Sequence, residues 1–205
     1  MKIVFATGNP GKLREASEIL GKGYQLVTPA EVGIPEDIPE DGKTLQENSL
    51  QKANYIYERT GLNCFADDTG LEVDALGGAP GVETARYAGP QKIPAQNIAK
   101  LLKELQGKPS RKARFRTSVT LILNGKRHFF DGIMEGSIAE EPHGGGGFGY
   151  DPVFIPEGYQ VTAAELSEEE KNAISHRGKA LRAMADFLKE GRGWDNIIKY
   201  FTVID

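Results

Sequence analysis

With 205 residues, the chain can bury well over half of the surface its unfolded form exposes, so a core needs no disulfide or metal staple. Its 25 Lys and Arg against 29 Asp and Glu give a net charge of −4, which excludes a protein whose affinity rests mainly on nucleic-acid phosphates. One cysteine, Cys64, excludes an intramolecular disulfide and a cysteine-rich zinc site; no segment has the apolar length of a membrane span, and a soluble protein of the cytoplasm is expected.

"KIVFA" (2–6) is a short apolar run rich in β-formers and predicts a buried strand. "TGNPGK" then turns into a helix with Leu13, Ala16, Ile19 and Leu20 on one face. Asn9 is placed to cap it, Pro10 suits its first position, and the Gly-Lys-Gly at 21–23 closes it. Residues 29–43, rich in proline and acids, read as a surface loop. "TLQENSLQKANYIYERTG" predicts a second helix that ends at Gly61. "CFADD" reads as a strand that stops in a turn at Asp67 and Asp68, after which "LEVDAL" alternates as another strand. "IPAQNIAKLLKELQG" has a helical period, and "KARFRTSVTLILNGKRHFFDGIMEGSI" is a hairpin around Asn124-Gly125. The glycine loop "PHGGGGFGYD" precedes the strand "PVFI"; Ser167-x-x-Glu170 is a capping box, and an amphipathic helix follows Ser175. The mixture of strand-helix and hairpin units predicts an α/β fold with a mixed sheet, in one compact unit over residues 1–205.

Four places carry chemistry. The loop Thr7, Gly8, Asn9, Pro10, Gly11 and Lys12 offers a helix N-terminus and a cation to a phosphate, although Ala6 and Leu13 depart from a Walker A loop. Two adjacent carboxylates, Asp67 and Asp68, repel each other unless they point to opposite sides or share a cation; Mg²⁺ needs only one or two carboxylates when substrate phosphates complete its shell. The glycine loop matches G-x-G-x-x-G only literally, since no strand precedes it and no helix follows, but Phe148 and Tyr150 offer aromatic faces for a base. Lys171, His176 and Arg177 gather cations at a helix start, where they cost stability unless an anion joins them.

Together, "ATGNPGK", "EDGKTLQENSLQKA", "ADDTGLEVDALGGAPGVETARYAG", "GGGGFGYDPVF" and "KNAISHRGKAL" resemble the inosine/xanthosine triphosphate pyrophosphatase family, in family order over residues 5–181. The resemblance implies a two-lobed α/β fold, a long twisted mixed β-sheet flanked by helices with a central substrate cleft, and a homodimer. It implies Mg²⁺-dependent attack of water on ITP, dITP or XTP, releasing the monophosphate and pyrophosphate. Residue by residue, it makes Lys12 the phosphate cation, Asp68 the proton acceptor and a metal ligand, Glu40 the other metal ligand, and Asp67 a supporting acid. Thr69 contacts substrate beside Asp68; Phe148, Gly149, Tyr150, Asp151, Lys171, His176 and Arg177 surround base and sugar. Thr69 stands where the family commonly has Ser, Leu45 where it has Phe, and Glu83-Thr84 where it has Tyr-Ser. Two other readings use the same cleft: a nucleotide-binding regulatory module without turnover, and a Mg²⁺-dependent phosphatase that releases orthophosphate.

Overall fold

The computed structural model describes residues 1–35 and 37–201, with side chains described as far as Gly191. Among the described residues, six strands form one sheet in the order β2-β1-β3-β4-β5-β6. They are β1 (Lys2–Phe5), β2 (Gln25–Val27), β3 (Cys64–Val73), β4 (Lys112–Leu123), β5 (Lys126–Ile138) and β6 (Phe154–Pro156). β1 runs parallel to β2 and β3, and the remaining pairs are antiparallel, so the sheet is mixed as expected. The β4–β5 turn is built from Asn124 and Gly125, both at positive φ (50° and 80°), the conformation that this residue pair adopts most readily.

Among the described residues, five α-helices flank the sheet: α1 (Pro10–Leu20), α2 (Leu45–Thr60), α3 (Pro94–Leu105), α4 (Glu168–Ile174) and α5 (His176–Phe201). Their starts follow local chemistry. The Asn9 carboxamide caps α1, the Thr44 side chain accepts from Glu47 N–H to cap α2, and Ser167 with Glu170 forms a reciprocal box on α4.

The alternation of β3 divides the core between two faces. Phe65 packs with Ala16 of α1 and Ala180 and Met184 of α5, whereas Cys64 and Ala66 pack with Ala53 and Ile56 of α2. Beyond them, Ile98, Leu101 and Leu105 of α3 close a separate cluster over Leu71, Phe115 and Met134. No described helix is long and apolar enough to cross a membrane.

The expected turn at the acidic pair is absent. β3 runs unbroken for ten residues, and Asp67 and Asp68 lie near its middle, opposite Val119 and Ser118 of β4. Acids depress strand formation chiefly when they lack partners, and both have partners here.

Candidate active site

The first wall is the β1–α1 loop. Thr7 Oγ1 accepts from Asn9 N–H (3.1 Å), and Asn9 Oδ1 accepts from Gly11 N–H (2.8 Å) and Lys12 N–H (3.3 Å). The cap therefore occupies two of the N–H groups that the sequence offers to phosphate, and the cation Lys12 is left as the loop's main charge. Its Nζ lies 3.2 Å from Asp67 Oδ2.

Asp67 is only 1% exposed. Burial alone would push its carboxyl up, but Lys12, Lys52 and Arg177 outweigh burial and hold it below the usual carboxylate range. Asp68, on the opposite face, accepts from Asn48 Nδ2 (2.9 Å) and from Thr69 N–H (3.0 Å). Burial raises its carboxyl above the ordinary range despite the Asn48 bond and Lys52, and the charge of Glu40 adds to the rise. Such a carboxyl is a better proton acceptor than a free one. The Thr69 hydroxyl points to Asp67's face and bonds that of Thr117 (2.7 Å).

Glu40 reaches the site through Lys52, whose Nζ lies 2.5 Å from Glu40 Oε1 and donates to Asp67 O at 2.5 Å. A cavity of about 500 Å³ opens between these groups, lined by Thr7, Gly8, Lys12, Glu40, Lys52 and Asp67. Among the described residues, no three Asp, Glu, His or Cys side chains converge in a way that could hold a metal alone. Glu40 and Asp68, both within reach of the Lys52 charge, offer carboxylate oxygens, the donor type that Mg²⁺ takes together with substrate phosphates.

A second hollow, about 150 Å³, adjoins Arg177 and is lined by Glu15, Phe148, Asp151, Lys171 and His176. α5 begins here because Gly132 of β5 has no side chain: a Cβ would stand 1.8 Å from His176 O. Arg177 donates to Glu15 Oε2 through Nε (2.8 Å) and lies 2.6 Å from it through a terminal nitrogen. The anion required by cations at a helix start is thus partly supplied by Glu15. Lys171 sits 3.7 Å from Asp151 Oδ2, which also accepts from Phe148 N–H (3.1 Å). The His176 ring stacks on Phe115 with centroids 5.1 Å apart, and its Nδ1 is buried without a hydrogen-bond partner. Burial, then Arg177, push this imidazole down to about 4, so it is neutral at pH 7.

The glycine loop sends its two aromatics to different places. Phe148 is 78% exposed at the mouth of the second hollow, whereas Tyr150 is buried and its hydroxyl donates to Thr84 O (2.7 Å). Tyr150 is a core residue here and presents no stacking face. Gly147 is needed because a Cβ would meet Asp151 Oδ2 at 2.2 Å, and Gly149 takes φ 60° to turn the chain into Tyr150. A third hollow of about 580 Å³ beside the start of α2 includes Arg116, Glu72 and Asp131, with Arg116 paired to both acids.

Three residues of these walls carry no role in the sequence reading: Glu15, Asn48 and Lys52. Asn48 and Lys52 are four apart on α2 and flank its buried stripe, so a polar i, i+4 pair beside Ser49 and Ala53 was the available signal. Glu15 stands beside the buried Ala16 and gives no comparable cue.

Fold and site describe an α/β protein that gathers cations and carboxylates around one cavity and carries a small aromatic-edged hollow. The chain belongs to the Ham1 family, whose model matches residues 3–187. It is 54% identical to a dITP/XTP pyrophosphatase of Porphyromonas gingivalis over 91% of this chain and 97% of that one. A dITP/XTP pyrophosphatase of Flavobacterium psychrophilum is 49% identical over 92% of this chain and 100% of its own. Among solved structures, a HAM1 protein from Coxiella burnetii superposes with a TM-score of 0.88 at 42% identity, covering 93% of this chain and 99% of that one.

Proposed function

We propose that this protein hydrolyses the non-canonical purine triphosphates ITP, dITP and XTP to the monophosphate and pyrophosphate, and so keeps them out of DNA and RNA. The observation that carries this reading is the approach of Lys12, Lys52, Glu40 and Asp67 around one cavity, with Asp68 held by Asn48 on the other face of the same strand and a second hollow edged by Phe148, Lys171 and Arg177. The names of the relatives support dITP and XTP among these substrates.

Lys12 and the loop from Thr7 to Gly11 hold the phosphates, and their charge opposes the build-up of negative charge on the transferring group. Asp68 takes the proton of the attacking water, and the water's oxygen bonds to the α-phosphorus as pyrophosphate departs. Mg²⁺, held by Glu40 and Asp68 with the phosphates, would neutralise those oxygens. Asp67 fixes Lys12, and Thr69 holds the strand beside the reacting group. In the second hollow Phe148 covers the base, and Gly149, Asp151, Lys171, His176 and Arg177 surround base and sugar. A 6-oxo acceptor on hypoxanthine or xanthine suits a donor such as Arg177, where adenine would bring a second donor. We place the enzyme in the cytoplasm, since its lone cysteine fits a reducing compartment, and take it as a homodimer on the family resemblance.

The test is steady-state hydrolysis of dITP, XTP, GTP and ATP with Mg²⁺, identifying both products. Pyrophosphate from dITP and XTP, with ATP and GTP slow, is expected. Orthophosphate would instead indicate a phosphatase, and tight binding without turnover a regulatory module.

A further inference from the structure

The segment carrying Glu40 is laid against α2 by one bond per residue, in reverse order along the helix. Glu40 pairs with Lys52 (2.5 Å), Asp41 N–H donates to Gln51 Oε1 (3.0 Å), Gly42 N–H to Asn48 Oδ1 (2.7 Å) and Lys43 N–H to Glu47 Oε2 (2.6 Å). Two of these four helix residues also hold β3: Lys52 donates to Asp67 O (2.5 Å), and Asn48 Nδ2 to Asp68 Oδ2 (2.9 Å). α2 thereby spans the gap between Glu40 and Asp68.

Within this array we infer that Asn48 is a positioning residue for the reaction, fixing the carboxylate of Asp68 relative to the Glu40 loop; the inference rests on the activity proposed above. Asn48 is 3% exposed and uses both ends of its amide. A carboxylate can only accept and a backbone N–H can only donate, so Asp68 and Gly42 independently demand the same orientation of that amide. Other side chains fail in identifiable ways. Aspartate would set a carboxylate against Asp68, leucine would abandon both partners, and glutamine would lengthen the arm. Loop and helix are in tight contact: a Cβ on Gly42 would lie 2.7 Å from Glu47 Cβ and 2.8 Å from Asn48 Oδ1. A group that orients a metal-binding carboxylate without touching the metal is typically worth about 10- to 100-fold in affinity or rate.

Three variants test this: Asn48→Leu removes both bonds, Asn48→Asp keeps only the acceptor for Gly42, and Gly42→Ala keeps the Asn48 side chain but presses a methyl against its Oδ1 and against Glu47, displacing loop and amide relative to each other. Turnover of dITP, half-saturating Mg²⁺ and melting temperature are measured for each. Mn²⁺ binding is followed by electron paramagnetic resonance with the non-hydrolysable α,β-imido analogue of ITP. All three are expected to lose about 10- to 100-fold in kcat or metal affinity, with KM for dITP within about threefold of wild type. Asn48→Asp is expected to fall furthest. A merely structural role would lower the melting temperature and the active fraction while leaving the metal dependence of the folded fraction unchanged, and that result overturns the inference. So does wild-type metal dependence in a folded Gly42→Ala. If the wild type itself releases no pyrophosphate, the activity proposal fails separately; the Glu40–Asp68 separation in a crystal structure of Asn48→Leu or Gly42→Ala then decides, widening in support and no change against.

Discussion

Asp67 and Asp68 are neighbours in sequence but occupy opposite faces of β3, one paired with Lys12 and the other hydrogen-bonded by Asn48. Strand alternation alone separates the two charges, so no shared cation is needed to hold them apart. The same alternation gives them different roles. Asp67→Asn removes a buried negative charge surrounded by Lys12, Lys52 and Arg177, and is expected to cost about 1–3 kcal/mol of stability. Asp68→Asn leaves an amide oxygen for Asn48, and should cost little stability but about 100-fold or more in turnover. Urea unfolding and kcat on the two variants check the contrast; equal loss of stability in both would refute the division.

Gly132 sets where α5 begins and hence where His176 and Arg177 stand. Gly132→Ala would drive a methyl to 1.8 Å from His176 O and 2.7 Å from Ala180 N, both backbone atoms that cannot rotate away. The helix must lift from β5, at a cost of about 3 kcal/mol or more. A melting temperature close to wild type would show that this contact is looser than described.

Local signals made much of this legible. Asn9, Pro10 and the closing glycines marked α1, and Asn124-Gly125 marked the hairpin, because caps and turns are decided within a few residues. The acidic pair misled as a strand end, since what tolerates it lies on α1 and α2 and not in its own segment. Tyr150 read as a stacking face because its partner, Thr84 O, is 66 residues away. Asn48 and Lys52 carry a helical-spacing cue, a polar i, i+4 pair within the buried stripe of α2, but that cue does not name their partners, which lie on β3 and on a loop folded back on the helix.

His176 links stability to pH. Burial and Arg177 hold its folded pKa near 4, below the ordinary value of 6.5, so the unfolded chain takes up this proton first as pH falls. The associated stability is whole above pH 6.5 and is lost as pH drops from there through about 4, on the order of 3 kcal/mol in total. His176→Leu keeps the contact with Phe115 and removes the proton site. Its unfolding free energy should fall less than that of wild type between pH 6.5 and 4.5, and parallel pH profiles would exclude the ring as a contributor.

Phe148 isolates the base-binding role of the second hollow from the chemistry of the first. At 78% exposure it contributes little to the core, so Phe148→Ala should leave the melting temperature unchanged. An aromatic face stacked on a base is worth about 1–3 kcal/mol, which predicts a KM for dITP raised about 5- to 150-fold. Because Lys12, Asp67 and Asp68 are untouched, kcat should change little, and the loss should be shared by XTP and dITP alike. Unchanged KM for both nucleotides would place the base elsewhere, whereas a fall in kcat alone would assign Phe148 to closure over the phosphates.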